Sequence, residues 1–128
     1  MKPLWLLLLV LTGCISPLPA SPLTGIWRSI QAEVSLGKQG GSIEFGCARG
    51  TIGTVNLNAR GEFRVAGTYT QLSPVEHIGE PPPVVQPVTY SGKVAANRLT
   101  FSLEFADGRK GGETSAVKDS SESVLRCA

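Results

Sequence analysis

From Thr24 onward the chain alternates apolar and polar residues, the period-two signature of strands with one buried face. The clearest run is "RLTFSLEF", Arg98 to Phe105. Leu99, Phe101, Leu103 and Phe105 share one face, and Arg98, Thr100, Ser102 and Glu104 share the other. "SIEFGC" groups Ile43, Phe45 and Cys47 in the same way, and "GEFRVAGTY" groups Phe63, Val65 and Tyr69. Turn-forming residues punctuate the runs at Asn58-Ala59-Arg60-Gly61, Ala96-Asn97, Asp107-Gly108 and Lys118 to Ser121. Strands are expected over about 25–36, 42–47, 51–57, 62–70, 87–95, 98–106, 112–117 and 122–127. No segment carries a convincing helical period.

This pattern predicts an all-β fold of about eight antiparallel strands in an up-and-down meander, closed as a small barrel. The alternative is a β-sandwich. Closure removes the strand edges that an exported sheet must otherwise protect. Phe45, Phe63, Phe101 and Phe105, with Trp27, are expected to fill the interior, as side chains do in barrels of eight strands. Gly67 and Gly92 fall at inward positions and are expected to reopen some space among them.

The first residues follow a different rule. Lys2 gives a short positive start, Leu4 to Leu11 an apolar core, and small residues then precede a cysteine. The apolar run is too short to span a bilayer, which takes about 20 residues. Leu11-Thr12-Gly13-Cys14 resembles the bacterial lipobox. That resemblance implies cleavage before Cys14, a diacylglycerol on its sulfur and an acyl chain on the new amine. Each buried methylene adds about 0.8 kcal/mol, so several chains hold firmly to a membrane. Ile15 stands where an inner-membrane retention signal of this class has aspartate, which implies the outer membrane in a two-membrane host. Ile15 to Pro22 holds three prolines and reads as an extended tether, long enough to hold a domain about 25 Å away. The expected division is a signal peptide over 1–13, a lipidated proline-rich tether over 14–22 and a single β-domain over 23–128.

With Cys14 lipidated, Cys47 and Cys127 remain, and two thiols in an oxidising compartment usually pair. A Cys-x-x-Cys redox motif is absent. In the expected meander both cysteines fall at one rim, on the second and eighth strands, which flank the first. Strands two apart are about 9.5 Å from each other, so the bridge requires either that the first strand has not yet entered the sheet there or that the barrel pinches.

"LTGIW", Leu23 to Trp27, resembles the Gly-x-Trp opening of the calycin barrels, the lipocalins and avidins, and implies a tryptophan closing one barrel end. "RGEFRVAGTY", Arg60 to Tyr69, is similar to an avidin hairpin, but the several tryptophans of a biotin site are missing beyond Trp27. "IEFGCARGTI", "GEFRVAGTYT", "GEPPP" and "TYSGKV" together resemble a bacterial family of small exported β-domains to which no activity is assigned. Small lysozyme-inhibitor lipoproteins are another comparison. Their Ser-Gly-x-x-Tyr loop differs from Tyr90-Ser91-Gly92, where the tyrosine stands on the other side.

Composition narrows the function. The net charge is +2, and removing Lys2 with the leader leaves about +1. Basic residues are interleaved with acids, without the patch or stripe that a nucleic-acid partner requires. Catalysis is hard to assemble: there is no Gly-x-Ser-x-Gly, and His77 is the one imidazole. His77 lies in "SPVEHIGEPPPVVQP" near Glu76 and Glu80, followed by Pro81, Pro82 and Pro83, which stiffen the loop into an extended form. A single loop histidine near glutamates is ordinarily solvated, and no metal site or cofactor is expected beyond the lipid on Cys14. His77, Glu80 and Pro81 to Pro83 form the candidate interaction loop, suited to an aromatic groove on a partner, with a lid across the barrel mouth or a rigid surface connection that discourages edge pairing as the alternatives. The sequence therefore reads as a lipid-anchored, non-catalytic interaction module of the cell envelope, touching an envelope protein or a cell-wall component. The alternative is a lipocalin-like carrier of a small apolar ligand.

Overall fold

A computed structural model of the chain describes residues 21–72 and 82–125. Its strands are β1 (Gly25–Arg28), β2 (Glu33–Gly37), β3 (Gly40–Glu44), β4 (Ala48–Ile52), β5 (Glu62–Gln71), β6 (Val85–Ala95), β7 (Arg98–Phe105) and β8 (Thr114–Lys118). Each pairs antiparallel with the next, and β8 returns to β1, so the meander closes as a barrel and not as a sandwich.

Three of the expected strands are corrected. The first, 25–36, is two strands, because Ser29 bends the chain between them. The Ser29 N–H donates to the Ala32 carbonyl at 2.9 Å, while its hydroxyl accepts the N–H groups of Gln31 and Ala32. The third, 51–57, is displaced: β4 ends at Ile52, and in the connection that follows Val55 is buried and its carbonyl accepts the Leu23 N–H at 2.7 Å. The eighth, 122–127, contains no strand among its described residues, and Leu125 is exposed. The barrel closes with 114–118 instead. The rim argument for the cysteines therefore fails, since Cys47 sits in the bend between β3 and β4 and not on a strand flanking β1.

The four expected turns are present. Asn58 Oδ1 accepts the N–H groups of Arg60 and Glu62, both at 2.9 Å, and Asp107 Oδ1 accepts that of Arg109 at 3.0 Å. Ala96 and Asp119 take the left-handed conformation that reverses the chain after β6 and β8.

Trp27, Val34, Leu36, Ile43, Phe63, Tyr90, Leu99, Phe101 and Leu103 meet inside. Tyr90, fully buried on β6, lies over Gly67 of β5 and reaches Gly50 of β4, where its hydroxyl donates to the Thr68 carbonyl at 2.7 Å. A Cβ at Gly92 would likewise run into Phe101. The inward glycines thus open no space, contrary to the expectation from sequence: the Tyr90 ring takes it at Gly67, and the β7 backbone at Thr100 and Phe101 takes it at Gly92. Phe45 and Phe105 are half-buried toward one end, and the rings form a series from Phe105 through Tyr69 and Phe45 to Phe101 and Tyr90, with centroids 5.5 to 6.2 Å apart. These separations suit tilted and edge-to-face packing.

Candidate interaction surfaces

The long strands β5, β6 and β7 bury alternate residues, and the residues between face outward. Phe63, Tyr90, Leu99 and Phe101 are buried, so Arg64, Ser91, Lys93, Thr100 and Ser102 line the outside. Registration brings them together: Arg64 stands opposite Ser91, Ser91 opposite Ser102, and Lys93 opposite Thr100. They line an open groove of about 650 Å³, walled by Asn56 and Asn58 on one side and Glu113 on another. That volume lies within the usual span of ligand sites. A second hollow of about 400 Å³ shares Arg64 and is lined by Ala66, Pro87, Thr89, Glu104 and Ala106. Arg64 and Glu104 approach to 3.9 Å at this junction, and both are substantially exposed, so the pair adds little stability. Ser91, Thr100 and Ser102 are half-buried, yet their hydroxyls, like the Lys93 ammonium, have no hydrogen-bond partner among the described residues.

One end of the barrel carries the half-buried rings of Phe45, Tyr69 and Phe105. Arg109 covers Phe105 with its guanidinium 4.7 Å from the ring centroid. Asp107 fixes that arginine through its Nε at 2.6 Å. The Arg109 backbone N–H, and then its side chain, hold the Asp107 carboxyl below the ordinary carboxylate range. Burial pushes the Tyr90 hydroxyl well above its ordinary range, and neighbouring Tyr69 adds to the effect. Tyr90 is therefore a neutral hydrogen-bond donor that holds the wall.

Of the residues singled out by sequence, Cys14, His77, Glu80, Pro81 and Cys127 lie outside the described residues. Pro82 and Pro83 are exposed and lead through exposed Val84 into β6. Cys47 is disulfide-bonded. Beside it, Gly46 has φ 92°, and a Cβ there would run into the Leu125 carbonyl, so the C-terminal segment passes this bend.

The groove was not singled out by sequence. Its residues are the polar half of two alternating runs and look like any solvated face. The legible signal was only which residues face outward; the walls come from Asn56, Asn58 and Glu113 in the connections, which the alternation of the strands does not bring in.

Comparison of the chain with protein-family models, curated proteins and solved structures finds no match.

Proposed function

We propose that this chain is a membrane-anchored envelope lipoprotein whose β-barrel is a non-catalytic interaction module, working through its outer surface on a cell-wall component or an envelope protein. The observation that carries the reading is the filled interior. Tyr90 occupies the space left by Gly50 and Gly67, and the β7 backbone at Thr100 and Phe101 closes on Gly92. A carrier of the lipocalin kind needs room in the barrel for its ligand, and side chains take that room here. The outer surface offers what the interior does not: an open groove with unpartnered polar groups.

The anchor rests on Leu11-Thr12-Gly13-Cys14 at the end of an apolar leader. Acyl chains on Cys14 would hold the protein to the membrane, the outer one in a two-membrane host, with the proline-rich tether spacing the barrel from it.

Native mass spectrometry of the full chain in detergent, after exposure to envelope extract, tests the module. Recovery of the barrel without a stoichiometric small molecule, together with site-directed crosslinks from its outer face to wall or envelope material, supports the reading. A stoichiometric apolar adduct would overturn it in favour of the carrier. Cys14→Ala should abolish acylation and membrane retention; a variant that stays acylated and membrane-bound would remove the anchor from the proposal.

A further inference from the structure

The geometry points to a specific occupant for the groove outside β5–β7: an N-acetylated polysaccharide chain, which in a bacterial envelope is the glycan of the cell wall. This rests on reading the domain as a surface module and names its ligand class.

The first argument is hydrogen bonding. Ser91, Thr100 and Ser102 place three half-buried, unpartnered hydroxyls in adjoining positions on β6 and β7. Each hydroxyl both donates and accepts. A surface of this kind matches a ligand that does the same at close intervals, as sugar hydroxyls and amides do.

Charge narrows the class. Arg64 and Lys93 in the groove are balanced by Glu62 and Glu113, so it has no excess of either sign. A polyanion such as nucleic acid, which binds through an excess of cations, is not matched by this balance. A lipid tail is not matched either, since the outward side chains of the larger groove are polar.

Shape supplies the third argument. The groove is open and does not enclose a compact molecule, and Arg64 also lines the second hollow. From Lys93 to Pro87 the β6 backbone advances about 20 Å at strand rise, the scale of a chain and not of a single ring. The outward residues of the second hollow include Ala66, Pro87 and Ala106, apolar groups that offer contacts to acetyl methyls. Polar groups for ring hydroxyls and apolar contacts for N-acetyl groups thus lie along the same strands, in two hollows that share Arg64.

The test is co-sedimentation of the full chain, in detergent, with purified insoluble cell-wall glycan, with soluble tetra-N-acetylchitotetraose as competitor. The chain should sediment, and the acetylated oligomer should compete better than its deacetylated form. Ser102→Trp, which fills the groove from an outward position, should weaken binding by at least about tenfold, the scale of one or two lost hydrogen bonds. Should that variant fail to fold, the Ser91→Ala/Lys93→Ala double substitution provides the same reading by removing two ligand contacts. Ser42→Trp, on the exposed outer face of β3, should bind as the parent does. Absence of sedimentation, or sedimentation unchanged by the groove substitutions, would overturn the glycan assignment. Crosslinks from the groove to an envelope protein without glycan binding would overturn it too, while leaving the surface module standing. A ligand recovered from the barrel interior would overturn the module itself.

Discussion

Tyr90 of β6 lies directly over Gly67 of β5: a Cβ placed at residue 67 would stand 2.7 Å from Cε2 of the tyrosine ring. The tyrosine hydroxyl then reaches the Thr68 carbonyl, across the position where Gly50 likewise leaves no room for a side chain. Two small residues and one large one, on three successive strands, make a single packed unit. Gly67→Ala should therefore behave as an overpacked core substitution and cost about 1–3 kcal/mol. Tyr90→Phe keeps the ring and loses one hydrogen bond, so it should cost about 0.5–1.5 kcal/mol. Chemical denaturation of both variants measures the difference; an alanine at 67 with parental stability would mean the ring does not lie there.

The same tyrosine predicts a response to alkali. Its pKa is raised on folding, so above the unfolded value, about 10, the folded chain holds a proton that the unfolded chain releases. The contribution of Tyr90 is fully present below that pH and declines as pH rises beyond it. Denaturation midpoints measured from neutrality to strong alkali should fall less steeply for Tyr90→Phe than for the parent. Parallel curves would show that the hydroxyl is not buried as described.

Phe101 links Phe45 to Tyr90 in the ring series, with its centroid 6.1 Å from that of Tyr90 and 6.2 Å from that of Phe45. It is almost wholly buried, so Phe101→Ala should cost about 3–5 kcal/mol, measured by urea denaturation. Unchanged stability would mean that the inward register of β7 is wrong.

Much of this barrel was legible because alternation reports inward and outward faces directly. The hidden features are those in which polar residues substitute for conventional punctuation. Trp27 faces inward at an odd position, while Ala32, Val34 and Leu36 are buried at even ones, so the parity changes between β1 and β2. That change was visible in principle, yet no glycine or proline marks it, and Ser29 makes the turn. The segment before Cys127 shows the opposite error. Val124 and Leu125 form an adjacent apolar pair between polar residues, a run short enough to suggest a strand, but β1 is already flanked by β2 and β8. Gly67 and Gly92 were correctly read as inward. What fills the gaps is not local in sequence: the Tyr90 ring from β6 at Gly67, and the β7 backbone at Gly92.

Closure of the barrel is its thinnest seam. β1 and β8 pair through Trp27–Lys118 and Arg28–Val117, and beyond them the Gln31 side chain substitutes for backbone by accepting the Ser115 N–H at 3.1 Å. Amide exchange should be faster along β8 than in the long β5–β6 ladder, because fewer bonds must open together. Gln31→Ala should speed exchange at Ser115 and leave β5–β6 amides unchanged. Equal rates in the two regions would show that the seam opens only with the whole barrel.

The disulfide at Cys47 bears on that seam. After Lys118 the chain reverses at Asp119, and the Leu125 N–H donates to the Ile30 carbonyl at 3.0 Å, while the Leu125 carbonyl lies against Gly46. The end of the described chain thus arrives beside the β3–β4 bend that holds Cys47, two residues before Cys127 in sequence. This approach is the observation behind the proposed pairing of Cys47 with Cys127, in which Cys14 is kept for the proposed lipid. A bridge closing a loop of about 80 residues is worth roughly 4.5 kcal/mol in the chain-entropy model. Cys127→Ser should therefore remove the bridge, lower stability by a few kcal/mol and speed amide exchange near Ile30, whereas Cys14→Ser should leave the bridge intact. Peptide mapping without reduction distinguishes the two. A Cys14–Cys47 peptide would withdraw both the lipid attachment and the fastening of the C-terminal segment.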